Sequence, residues 1–162
     1  MTHWIIIDGY NLLHAWTPPN GPGQLDPLRD RMNERLMASF RSQCTHMTVV
    51  FDGNRAGPGD MACPDQFEIC FTGKGESADA HIEALAYRAK KPSSLTVVSS
   101  DFGLQDTVQI RGCRTLPCST FITTWEAAET RHRRQRETDH KTQRKRLGPF
   151  GRLGDLFPDD LK

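Results

Sequence analysis

The sequence predicts an α/β protein with a mostly parallel central sheet and helices on both faces. Short runs rich in β-branched and aromatic residues recur along the chain, each about as long as a buried strand. Stretches with apolar residues at helical spacing lie between them. The runs stop at acids, Asp8, Asp52 and Asp101, and in open parallel sheets functional groups gather at this carboxyl edge.

The elements follow in order. Trp4 to Ile7 is short, continuous and β-branched, which predicts a fully buried strand. From Leu25 to about Ser42, Leu28, Met32, Leu36 and Phe40 recur every four positions, predicting an amphipathic helix with Asp26 as N-cap and Pro27 at its first position. Met47 to Phe51 is a second buried strand, followed by a Gly- and Pro-rich loop. Phe67 to Phe71 alternates in part with polar Glu68, as an edge or half-buried strand does. A helix capped by Ser77 places Ala78, Ile82, Leu85 and Ala89 on one face, with Lys90 and Lys91 at its carboxyl end. Leu95 to Val98 is a third buried strand. A short helix over Leu104 to Ile110 and a short strand in RGCRTLP come next. A last helix starts near Ser119 or Thr120 and runs past His140, with Phe121, Trp125 and Ala128 packed at its start.

The 162 residues suit one domain with a real core, and 36% hydrophobic with 25% charged residues exclude a disordered chain. A net charge of +1 conceals an asymmetry, because residues 131–162 hold 10 Lys+Arg against 5 Asp+Glu whereas the body is acidic. The expected organisation is residues 1–128 as the functional domain and 129–162 as a basic helical extension. Asp8 interrupts the first apolar run, which has no basic leader, and no stretch approaches the ~20 apolar residues of a membrane span. A cytoplasmic protein is expected. Five cysteines form no CxxC pair, so they predict buried free thiols rather than a disulfide framework or zinc site.

Besides the strand-end acids, Glu76 and Asp79 stand three apart at a helix start, a spacing that would point both into one crevice. Asp106 is a weaker candidate. Two carboxylates about 4 Å apart repel by roughly 4 kcal/mol at an effective dielectric of 20. Several of them converging therefore call for a divalent cation, and all-oxygen ligands favour Mg²⁺ or Mn²⁺ over zinc. Singly, each acid has a plainer explanation: a turn former or helix cap for Asp52 and Asp106, a first-turn acid for Asp79, and a cap for a short following helix in the case of Asn11. Capping alone does not require the whole set.

IIIDGYNLL, VVFDG, GESADAHIEALA and VVSSDFGLQDTVQIRGC resemble the signature blocks of NYN domains, specifically the YacP-like bacterial branch of the PIN-like nucleases. The resemblance covers roughly residues 3 to 127. It implies a PIN-like three-layer α/β fold and Mg²⁺- or Mn²⁺-dependent cleavage of RNA phosphodiester bonds, as an endonuclease. It also implies Asp8, Asp79 and Asp101 as metal-binding acids, Glu76 as a further catalytic acid and Asn11 as a residue lining the site. Asp52 follows the second strand as in many NYN domains. Gly9 is expected to turn the chain and keep the entrance uncrowded, and Tyr10 to pack in the core or stack on a base.

Arg55 and Lys74, in loops, are expected to steer phosphates, and Ser100 to bind substrate. The basic extension, through Arg133, Arg134, Arg136, Lys141, Arg144, Lys145 and Arg146, is expected to grip RNA or a ribosomal surface; the alternative is a solvated, merely charged helix. No histidine is assigned to chemistry, since the six form no HExxH or comparable spacing. DFG at Asp101 to Gly103 lacks the accompanying kinase motifs, and GKGES lacks P-loop spacing. A non-catalytic RNA- or ribosome-binding module is the competing reading, and clustered carboxylates that repel phosphate count against it. A small phosphatase is disfavoured because no D-x-D follows the first strand.

Overall fold

The computed structural model describes residues 3–53 and 66–146. Five strands, β1 (Trp4–Asp8), β2 (His46–Phe51), β3 (Phe67–Phe71), β4 (Leu95–Val98) and β5 (Arg114–Leu116), form one sheet in the order β3-β2-β1-β4-β5. All four pairings are parallel. The chain winds outward from β1 to β3, then returns to the other side of β1 for β4 and β5. That reversal sets the ends of β1 and its neighbours at a topological switch point.

Alternation along the strands builds two cores. Ile5, Ile7, Met47, Val49 and Phe51 face one side, with the buried faces of α1 (Gly9–Trp16) and α2 (Leu25–Ser39) and the start of α5 (Cys118–Arg146). Ile6, Val50 and Val97 face the other, against α3 (Ala78–Arg88) and α4 (Phe102–Ile110). The three-layer arrangement is the one expected, and β3 is indeed an edge strand. Of the thiols, Cys44, Cys113 and Cys118 are buried and free and Cys70 is half-buried; Cys63 lies outside the described residues. Among the described residues no helix is long and apolar enough to cross a membrane.

Several boundaries differ from the expectation. Helix α2 starts one residue before Asp26, with Gln24 as N-cap. Asp26 instead accepts a bond from Arg29 Nη1 at 2.9 Å, and Pro27 is tolerated because first-turn amides have no intrahelical acceptor. Residues Phe40–Ser42 form a separate 3₁₀ turn. Helix α3 stops at Arg88, short of Lys90 and Lys91, as the chain turns toward Pro92. Ser77 does cap it, accepting from Ala80 N at 3.1 Å.

Helix α1 begins directly at Gly9, and the reason for glycine is a close approach. A Cβ there would lie 2.4 Å from Cε1 of Phe51, a fully buried ring stacked on Phe71 and met edge-on by Tyr10. The ring has nowhere to retreat. Gly9→Ala should therefore cost about 1–3 kcal/mol by overpacking, measured by urea unfolding, and Phe51→Leu in the same chain should recover part of it. A loss below about 0.5 kcal/mol would show that the ring yields freely.

The chain divides into two compact units, Met1–Ala128 and Glu129–Lys162. The described part of the second is helical through Arg146, and its side chains from residue 131 to 142 are all exposed.

Candidate active site

Four carboxylates from different elements line one cavity of about 390 Å³ at the carboxyl edge of the sheet. Asp8 ends β1, Asp52 follows β2, Asp79 stands in the first turn of α3 and Asp101 caps α4. Tyr10, Asn11 and His14 of α1 complete one wall, and Ser77 and Ala78 another. The spacing of α1 explains its two faces: Leu12 and Leu13 are buried, while Tyr10, Asn11 and His14 fall within about 100° of one another on the opposite side.

Asp8 is the buried member, 9% exposed. Its Oδ2 accepts from the Ser99 hydroxyl at 3.3 Å, and that same Oγ accepts from Asp101 N at 3.1 Å. One fully buried hydroxyl thus ties two of the acids together. Asn11 Oδ1 accepts from Ser100 N at 2.7 Å and from Cys118 Sγ at 3.1 Å, which locks α1 to the end of β4 and the start of α5. Asp101 Oδ1 accepts from Leu104 N at 2.9 Å, so one of its oxygens serves the helix cap. Asp52 accepts from the buried Thr72 hydroxyl at 3.4 Å.

The electrostatics record the crowding. Burial, then Asp79, pushes the Asp8 carboxyl up to about 6, with Asp101 adding to the rise; the Asn11 backbone N–H and the Ser99 hydroxyl act the other way. Asp79 is also raised, by burial and then by Asp101, Glu83 and Asp52. An all-oxygen donor set whose members raise one another suits a hard divalent cation. Among the described residues, no three His, Cys, Asp or Glu side chains are grouped as a ready ligand cage.

Other expected site residues lie elsewhere. Glu76 precedes the cap residue Ser77 and so is not on the helix, which removes the three-residue spacing argument. It is exposed, absent from the cavity wall, and 3.1 Å from His81 Nδ1. Lys74 sits in an exposed turn away from the wall. Ser100 is a brace: besides its bond to Asn11, its Oγ accepts from Cys118 N at 3.2 Å. Asp106 is exposed on α4 and not on the wall. Arg55 lies outside the described residues.

Two residues of the site belong to no motif. His14 lines the cavity one helical turn from Tyr10. Ser99, the neighbour of Ser100, holds the Asp8 carboxylate. Its signal was the register: Ile7 pairs with Val98, so the next step along two parallel strands sets Asp8 beside Ser99.

Residues 5–149 match the family model of the YacP-like NYN domain. The match runs well into α5, past residue 127, where the resemblance had been expected to end. Two similar solved structures are those of Rae1 (YacP) from Bacillus subtilis and of a tryptophan-to-leucine mutant of it. The first has 23% identity and a TM-score of 0.73, over 91% of this chain and 86% of that one. The second has 23% identity and a TM-score of 0.66, over 86% and 85%. A search of the curated proteins gives no match.

Proposed function

The chain belongs to the YacP-like NYN domains, a PIN-like nuclease family, and from that premise we propose that it is a divalent-metal-dependent ribonuclease that cuts RNA internally. The observation that carries this reading is the convergence of Asp8, Asp52, Asp79 and Asp101, from four separate elements, on one cavity at the switch point. Residues 1–128 would be the nuclease domain and residues 129–162 a basic extension that holds RNA.

Asp8 and Asp79 are the residues that would hold the ion directly. Asp101, with one oxygen committed to Leu104 N, would contribute its other oxygen or act through water, and Asp52 would orient water at the rim. Bound Mg²⁺ or Mn²⁺ supplies Lewis-acid activation of water and neutralises charge on the phosphate. Asn11 and Ser99 keep the acids in place through the hydrogen bonds described above. His14, the one wall residue able to carry positive charge among those described, would donate to a phosphate oxygen.

The test is cleavage of a fluorescent single-stranded RNA with Mg²⁺, Mn²⁺ or EDTA. We expect cutting with either metal, none in EDTA, and loss of cutting by at least about a hundredfold in Asp79→Asn with unchanged circular dichroism. Asp79 is half-exposed, so the fold tolerates the amide. Unchanged cleavage by Asp79→Asn would refute the assignment of this carboxylate.

A further inference from the structure

The basic extension is not uniformly basic around its axis. From Glu129 to Arg146 it is helical and holds no apolar side chain. At about 100° per residue, Glu129, Glu137 and Asp139 all fall on one side, and Arg133 and Arg136 lie between them. An arc of about 200° remains, bordered by Glu137 and Asp139. Over residues 129–142 it carries Arg131, Arg134 and Lys141 with Thr130, Gln135, Thr138 and Thr142, and no acid.

The local hydrogen bonds sharpen this division. Gln135 Nε2 donates to Asp139 Oδ1 at 3.1 Å, which ties that acid at the border. The Thr138 and Thr142 hydroxyls donate to the carbonyls of Arg134 and Thr138, each at 2.9 Å. Their protons are turned onto the helix, so neither hydroxyl donates outward from the arc. Arg133 has an acid four residues before it and four after it, and Lys141 has Glu137 four before it, the spacing at which opposite charges neutralise one another, whereas Arg131 has no acid three or four residues away on either side.

We infer that this helix binds the phosphate backbone of single-stranded RNA through one face, centred on Arg131 and Arg134, and not through Arg133 and Arg136. The inference rests on the ribonuclease reading for its choice of RNA. Charge complementarity selects a polyanion, and the lack of any apolar side chain on the face excludes insertion into a lipid surface. Arg131, absent from the contacts expected from sequence, becomes one, while Arg133 and Arg136 leave that set.

The experiment compares two full-length variants of equal charge, Arg131→Gln with Arg134→Gln, and Arg133→Gln with Arg136→Gln. Affinity for a fluorescein-labelled single-stranded RNA is read by anisotropy in EDTA over a series of salt concentrations. The first pair should bind about tenfold more weakly, with the slope of log affinity against log salt shallower by about 1.4, the loss of two phosphate contacts. The second pair should stay within about twofold of the parent, with its slope unchanged. Equal weakening in both pairs would mean that total charge governs and would overturn the face; so would unaltered binding in the first pair. Wild-type cleavage with Mn²⁺ is measured in parallel. RNA bound through this face but not cut would remove the nuclease reading and leave the binding face standing.

Discussion

Asp8→Asn should abolish the metal-dependent RNA cleavage proposed above and raise the stability of the metal-free protein at neutral pH. The two effects have one origin. The carboxylate is buried beside Asp79 and Asp101, and burial and repulsion hold its pKa at about 6 against an ordinary 3.8. Between those values the folded chain keeps a proton that the unfolded chain releases, so stability falls as pH rises through the window. Above pH 6 the whole destabilisation is present, on the order of 2–3 kcal/mol. The amide removes that charge and still accepts from the Ser99 hydroxyl. In EDTA at pH 7.5 the variant should therefore melt several degrees above the wild type, about 2–4 °C for each kcal/mol. Near pH 4 the difference should vanish. Added Mg²⁺ or Mn²⁺ should stabilise the wild type more than the variant, because only the folded wild type offers the full carboxylate set. Cleavage should fall by at least about a hundredfold, more than the loss of a residue that only supports a ligand. A variant that melts at or below the wild type at pH 7.5 in EDTA would contradict the electrostatic account, and one that cuts normally would contradict the catalytic one.

Trp125→Ala should cost about 3–5 kcal/mol, the largest stability loss expected from a single substitution here. Trp125 is fully buried at the start of α5. Its ring is 5.7 Å from that of Trp16 and 6.2 Å from that of Phe121, and the Arg35 guanidinium carbon is 4.9 Å from the centres of both Trp16 and Trp125. Nε1 donates to Ser39 Oγ at 2.8 Å. Truncation would remove the contacts joining α1, α2 and α5 and leave a void large enough to loosen all three. Trp125→Phe should retain most of the packing but lose the bond to Ser39, for about 1–2 kcal/mol. Denaturant unfolding of both variants decides the matter; a loss below about 1 kcal/mol in Trp125→Ala would mean that the cluster collapses to fill the space.

The strands were the most legible part of the sequence. Phe67–Phe71 and Leu95–Val98 have the predicted limits, because a buried parallel strand leaves an unbroken apolar run between turn residues. Helix α1 was harder, since it starts at a glycine whose presence answers to a ring more than 40 residues away. Side-chain direction was harder still. Asp8, Asp52, Asp79 and Asp101 all belong to the wall, because their positions just past strands or at a helix start already fix the sheet edge they occupy. Glu76 does not, because one residue before the Ser77 cap points in a different direction from two residues after it. His14 and Ser99 were obscured for a related reason: neither belongs to a motif, and only the packed register shows what they face.

The central strand comes first in the chain, and this has a temporal consequence. Asp8 meets β2 about forty positions on, but Ser99, which holds its carboxylate, is 91 residues away. A nascent chain emerging from its own synthesis can pair β1 with β2 and bring Asp8 near Asp52, yet it lacks Ser99 and Asp101 until β4 is made. Pairings that distant close late, after the cost of ordering the intervening chain has been met. An enzyme that cuts RNA would be built beside the message that encodes it, and this topology leaves the acid set without Asp101, and Asp8 without its Ser99 brace, until β4 has been translated.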